Sequence, residues 1–264
     1  MMNPADAIHP LALTAGYLML LIPLAIIHWY RVPMLGQTIS SVLRMTIQLI
    51  LVGLYLQVVF RLNNSWLNMA WLLVMITVAD LSILKGAQFR FGRLAGWLFA
   101  ALLVGTAIPL FIFVGVILTR PEILDARYVI PIGGMILGNC LRADIIGIRT
   151  FYQSIRTGQK AYELALSQGA TIAEAVRPYL RESIYQALTP TVATMANIGI
   201  VSLPGMMTGV IIGGNDPLTA IGYQIAIMLS IFTGTAITVF LAILLSARSA
   251  FTPYGILKQA IFKS

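Results

Sequence analysis

The chain alternates long apolar runs with short polar breaks, and one of the breaks is much larger than the others. Seven stretches, at about 11–29, 38–60, 66–84, 94–118, 128–141, 187–214 and 218–247, are apolar over most of their length. Crossing roughly 30 Å of hydrocarbon takes about 20 such residues in a helix. The pattern predicts an all-α fold, a polytopic membrane bundle of about seven transmembrane helices in one domain over residues 1–264. The fifth stretch is short at its strictly apolar core, so it has to continue as helix into the polar segment that follows. The breaks at 31–37, 61–65, 85–93, 119–127 and 213–217 are too short to form domains, leaving 142–188 as the one sizeable polar element.

That element has its own pattern. Ile145, Ile148, Tyr152 and Ile155 recur at helical spacing, which extends the fifth span as an amphipathic helix until Thr157-Gly158 interrupts it. A short helix over about 159–168 follows, and Gly169 suits the left-handed position that closes it. Thr171 and Glu174 then have the S/T-x-x-E spacing of a capping box that restarts a helix. Pro178 is expected to limit or kink that second helix, because proline has no amide hydrogen to donate. A glycine-cornered pair of helices projecting from the membrane is shaped for docking a soluble partner, the alternative being an ordinary solvated hairpin.

Two spans are interrupted. The fifth carries Pro131, Gly133, Gly134 and Gly138, and the sixth carries Pro190, Gly199, Pro204, Gly205 and Gly209. Broken helices at membrane depth are tolerated where they line a cavity or pack on protein, and in transporters they often mark the substrate path. Met135, Asn139 and Arg142 share one face of the fifth span, and Met206 and Met207 follow the Pro204-Gly205 break. Asp80 lies inside the third span, where a carboxylate is costly unless paired, hydrated or functional. Arg44 has Gln48 one turn deeper on the same face, from which its long side chain can reach the inner surface. These residues, with Ser202, are the candidates for a translocation path. The pairs Gly92/Gly96, Gly134/Gly138 and Gly205/Gly209 are spaced for close helix approach in lipid.

Composition agrees with a membrane protein: 59% of residues are hydrophobic, 10% are charged and the mean hydropathy is +0.89. The net charge of +8 would suit nucleic acid, but its distribution reports topology instead. With the N-terminus outside and the C-terminus cytoplasmic, only Arg61, Arg120 and Arg127 of the 17 Lys and Arg fall outside, as the positive-inside rule requires. No Lys or Arg precedes the first apolar run, so a cleaved signal peptide is not expected. Cys140 is the only cysteine, which excludes an intrachain disulfide. His9 and His28 sit near membrane edges without a ligand partner at helical spacing, and no metal cage is visible. Methionines such as Met135, Met206 and Met207 are soft ligands and more often packing residues.

A family resemblance rests on four segments. Glu163, Ala165, Gly169 and Ala170 are similar to the coupling loop of ABC transporter permeases. LRMTIQLILVG at 43–53, PIGGMILGN at 131–139 and VSLPGMMTGVIIGGNDP at 201–217 resemble the FetB-like iron-export permeases, a family with plant relatives linked to aluminium tolerance. The resemblance implies a permease of the bacterial inner membrane, surrounded by lipid and working as two copies. It also implies that a separate ATPase subunit supplies the energy, with ATP and Mg bound there and no cofactor on this chain. The absence of a G-x-x-x-x-G-K-[ST] loop agrees. Glu163, Ala165, Gly169, Ala170, Thr171 and Glu174 would then couple to the ATPase, and the implied cargo is iron or another metal. The plant relatives leave a nucleotide sugar as the alternative cargo.

Two other classes remain open on the residues. An intramembrane enzyme would use Ser202 as nucleophile, although no buried His or Lys accompanies it as base. A channel or ATP-independent carrier would need no partner, but the spans lack the repeated ionisable residues of a proton-coupled carrier.

Overall fold

The computed structural model describes residues 10–87, 91–119, 122 and 124–261. Of the positions singled out above, His9, Arg120 and the surroundings of Gly92 lie outside the described residues. The helices are α1 (Pro10–Met19), α2 (Leu21–Trp29), α3 (Leu35–Leu62), α4 (Ser65–Gly86), α5 (Phe91–Phe111), α6 (Ala126–Thr157), α7 (Gln159–Ser167), α8 (Ile172–Asn197), α9 (Gly205–Ile212) and α10 (Pro217–Ala250). A π-helical turn, Ile112–Ile117, continues α5 from three residues after Pro109, a usual site for such a shift in the ladder. Among the described residues there is no strand, only isolated bridges between Ile198 and Ser202 and between Phe251 and Leu257.

The helix starts follow local chemistry. Asn64 caps α4 by accepting from the Trp66 amide at 2.9 Å, and Asp125 caps α6 through the Arg127 amide at 3.0 Å. Asp216 caps α10 through the Thr219 amide at 3.0 Å, with Pro217 in the first helical position, where its missing donor does no harm.

The core is built from one face each of α4, α5, α6, α8 and α10. Gly133 packs on Leu72 and Gly86 on Ile145, so α4 and α6 run in the same direction. Gly105 meets Thr238 while Trp97 donates to Ser249, so α5 runs against α10. Close approach depends on Gly105 and Gly234. A Cβ on Gly234 would lie 2.8 Å from the Gly105 carbonyl oxygen, to which Pro109 has no amide hydrogen to donate. Gly147 plays the same part where α6, α8 and α10 meet, since its Cβ would lie 2.9 Å from Val239 and 3.3 Å from Ala187. Of the sequence-spaced pairs, Gly134 meets only Met75, and Gly96, Gly138, Gly205 and Gly209 meet nothing within 4 Å. Spacing alone does not tell which glycines face a neighbour.

Four features differ from the sequence expectation. Five helices among the described residues are long and apolar enough to cross a membrane, α3, α4, α5 with its π turn, α6 and α10, against the seven expected. The first stretch divides at Leu20 into α1 and α2. The sixth stretch, 187–214, is not one span: its first part belongs to α8, a turn over 198–204 follows, and α9 has only 8 residues. Pro178 does not end its helix, because α8 runs unbroken through both Pro178 and Pro190. Glu174, whose carbonyl loses its donor to Pro178, is exposed, and packing of Ala175, Ser183 and Ala187 offsets the loss.

Candidate functional site

Two places in the molecule gather the polar and broken-helix residues. One is the corner between α7 and α8. As the sequence predicts, α6 ends at Thr157, α7 begins at Gln159, and Gly169 adopts φ +95°, a left-handed conformation that favours glycine. The capping box is complete: the Thr171 hydroxyl accepts from the Glu174 amide at 3.3 Å, and the Glu174 carboxylate accepts from the Thr171 amide at 2.8 Å. The carboxylate also accepts from the Thr171 hydroxyl at 2.7 Å, and this bond first and the Thr171 amide second hold the Glu174 carboxyl below its ordinary value. Glu163 is exposed and accepts from the Gln159 amide group at 2.7 Å one turn back. Ala165 and Ala170 are half-buried, while Leu164, Gly169 and Ile172 are exposed. The corner therefore presents a small apolar and polar surface to solvent.

The opposite side of α7 is fixed by the C-terminal segment, a placement with no local signal in the residue pattern. Tyr162 is 2% exposed and donates to the Gly255 carbonyl at 2.7 Å. Its ring packs edge-on to Tyr179 and against Phe251. Burial, and secondarily the neighbouring Tyr179 phenol, raise the Tyr162 hydroxyl above its ordinary value, so it remains a donor at physiological pH. Gly255, at φ +80°, lies between Leu166 and Ile172 and joins both helices of the corner to the chain end. The signal available in the sequence was Tyr162 itself, an aromatic residue inside a short polar helix.

The other place is a cavity of about 360 Å³ between α6, α8, α9 and α10. The structure brings Met135, Asn139 and Arg142 of α6 together with Ser202, Pro204 and Met206 on its wall. Pro190, Thr191 and Thr194 of α8 face them, and Gln224 of α10, 8% exposed, completes the polar lining. The 198–204 turn is held by the Gly199 amide donating to the Ser202 carbonyl at 2.9 Å, with Gly199 at φ +85°. The break the sequence marks in the sixth stretch lies at this opening, but the fifth stretch is not interrupted: α6 runs unbroken through Pro131, Gly133, Gly134 and Gly138 because the helix is packed on Leu72, Met75 and Leu110. Among the described residues no His or Lys lines it, so none of them stands as a base beside Ser202 there.

Four candidates fall elsewhere. Arg44 and Gln48 are exposed on α3, a helix that touches the bundle mainly near its end through Val59, Ala126 and Ile130. Asp80 is 4% exposed within α4 and does not line the cavity, and its Oδ1 has no hydrogen-bond partner. Met207 is half-buried on α9 but not among the cavity residues. The sequence reading passed over Asp144, which is 0% exposed with neither carboxylate oxygen hydrogen-bonded. Its position, one turn after Cys140 and one before Ile148 on the buried stripe of α6, was the available signal. Among the described residues no group of three or more His, Cys, Asp or Glu is placed to hold a metal ion.

These features define an α-helical, multi-pass membrane protein with a cavity at the break in its sixth apolar stretch and an exposed corner at one end. Residues 10–251 match the Uncharacterised protein family (UPF0014), and the chain belongs to that family. It is 37% identical over 217 residues to a UPF0014 membrane protein of Synechocystis sp., covering 82% of this chain and 84% of the relative. It is 32% identical over 232 residues to Protein ALUMINUM SENSITIVE 3 of Arabidopsis thaliana, covering 87% and 82%. With the Probable iron export permease protein FetB of Escherichia coli the identity is 31% over 237 residues, covering 90% of each chain. No solved structure matches the chain.

Proposed function

We propose that this chain is the membrane subunit of an ATP-driven transporter, powered by a separate nucleotide-binding subunit that docks on the α7–α8 corner. Two copies work with two ATPases, with the corner, the ends of α6 and α10 and the C-terminal segment on the cytoplasmic side. The cargo is iron or another metal, moved outward, as the printed name of the Escherichia coli relative suggests for that protein.

The observation that carries this reading is the continuity of α8. Its first residue follows the capping box at Thr171, and its last turns supply Pro190, Thr191 and Thr194 to the cavity wall. A helix of 26 residues is about 39 Å long, so one rigid element joins the docking corner to the cavity. Movement of a partner at the corner is then felt at the cavity as a rigid-body displacement. Arg177, Arg181 and Tyr185 line an open groove on α8 next to the corner, adding charge and an aromatic ring to the docking surface.

Co-purification with a separately encoded ATPase tests the reading. Wild-type protein should retain the ATPase, and Glu163→Ala combined with Gly169→Val should lose it by at least about tenfold. Retention of the complex and of ATP-coupled transport in the double variant would remove the corner from the mechanism. Flux that persists without any ATPase would instead favour a channel or carrier.

A further inference from the structure

The cavity lining is unsuited to a bare metal cation, and this bears on the form in which cargo binds. Among the described lining residues Arg142 carries the only full charge; no Asp, Glu, His or Cys is present. No described residue forms an ion pair with the Arg142 guanidinium. Hard cations require carboxylate or carbonyl cages and softer ones thiolate, imidazole or thioether; the lining offers only the thioethers of Met135, Met206 and Met228, which suit Cu(I) rather than iron, so a naked iron ion would meet repulsion and few ligands. The volume of about 360 Å³ also lies in the range of small-molecule sites rather than that of a dehydrated ion.

What the cavity does offer is donors. Gln224 is nine-tenths buried on its wall, and its amide makes no hydrogen bond among the described residues. Helix α9 starts at the cavity with Pro204, Gly205 and Met206, and no side chain caps it. Its first helical bond is made by the Thr208 amide to the Pro204 carbonyl at 3.0 Å, so the amides of the preceding turn are without helical partners. The free end of a helix carries partial positive charge and favours anions, more so at an interrupted helix within a membrane. Asn139 differs, since its amide group already donates to the Met135 carbonyl at 2.8 Å. An unpaired guanidinium, a free buried amide and an uncapped helix start thus converge on one opening.

We infer that the cavity binds a small multivalent anion bearing carboxylate or phosphate groups, and that a metal enters it only as an anionic chelate. This rests on the transporter reading for its meaning, but its test needs only the isolated full chain. Binding to the chain in lipid nanodiscs is measured calorimetrically with citrate, ferric citrate, pyrophosphate and ferrous ion alone. Citrate with ferric citrate, or pyrophosphate, should bind, and this difference identifies carboxylate or phosphate as the preferred group; ferrous ion alone should give no signal.

Arg142→Gln and Gln224→Leu should each weaken anion binding by at least about tenfold, the loss expected when a charge-assisted or buried hydrogen bond is removed. Arg142→Lys, which keeps the charge, should stay within about threefold of wild type, and this guards against a folding defect in the glutamine variant. The inference is overturned if ferrous ion alone binds as tightly as ferric citrate, if both weakening variants bind normally, or if no anion binds. Such a failure leaves ATPase association untouched, and loss of ATPase association would leave anion binding intact, so the two readings fail separately.

Discussion

At the scale of single residues, the corner is governed by side-chain hydrogen bonds whose chemistry can be titrated. The Glu174 carboxyl is held below its ordinary value of 4.5 by the Thr171 hydroxyl and amide. A carboxyl lowered on folding contributes stability that is present above the unfolded value and lost as pH falls through the folded one. The α8 cap should therefore be intact at neutral pH and fray only in acid, below about 4.5. Carboxyl NMR titration of Glu174 should show the lowered midpoint in wild type and one raised toward the ordinary value in Thr171→Ala, where only the backbone amide still donates to the carboxylate; equal midpoints would deny the hydroxyl its role. Tyr162→Phe removes the bond to the Gly255 carbonyl while keeping the ring contacts with Tyr179 and Phe251. The loss should be about 1 kcal/mol, seen as roughly fivefold faster amide exchange over residues 251–257. Unchanged exchange would mean that this hydrogen bond does not hold the C-terminal segment. Residue-level placement was legible for Met135, Asn139 and Arg142, because helical spacing fixes a shared face. It was not legible for Arg44 and Gln48, since apolar periodicity in lipid does not distinguish a bundle-facing side from a lipid-facing one.

At the scale of elements, the corner was readable almost residue by residue. Its signals, Gly158, Gly169 and the Thr171/Glu174 pair, act within one helical turn and depend on nothing distant. Pro178 misled for the complementary reason: its local penalty is outweighed by the packing of Ala175, Ser183 and Ala187, which no local pattern reveals. The same limit applies to the glycines. Gly234→Ala would set a methyl group 2.8 Å from the Gly105 carbonyl oxygen and 2.9 Å from Ile136, so α5 and α10 must separate. A loss of about 1–3 kcal/mol is expected, read as a lower thermal midpoint in detergent. Gly96→Ala, at a position with nothing within 4 Å, should be neutral or slightly stabilising. Equal effects of the two substitutions would contradict the packing described between α5 and α10.

At the scale of the whole molecule, the all-helical membrane character followed directly from the apolar runs, but the number of spans did not. Residues 187–214 are apolar enough to read as one span, yet they are divided between α8, a turn and α9. Gly199, Pro204 and Gly205 marked that break, and it is what opens the cavity toward Met135, Asn139 and Arg142. The docking of the C-terminal segment on α7 was hidden, because a contact such as Tyr162 with Gly255 joins residues far apart in the chain.

The central claim is that the α7–α8 corner and the cavity move together through α8. Cys140 is the only cysteine and is fully buried, so a cysteine introduced at the exposed cavity residue Thr194 can be labelled selectively. The measurement is the maleimide labelling rate of Thr194→Cys in the reconstituted complex with its ATPase, with and without ATP and Mg. The account predicts at least a tenfold change in rate on nucleotide addition, abolished when Glu163→Ala and Gly169→Val are also present. A rate that does not respond to nucleotide, in a complex that hydrolyses ATP, would contradict it.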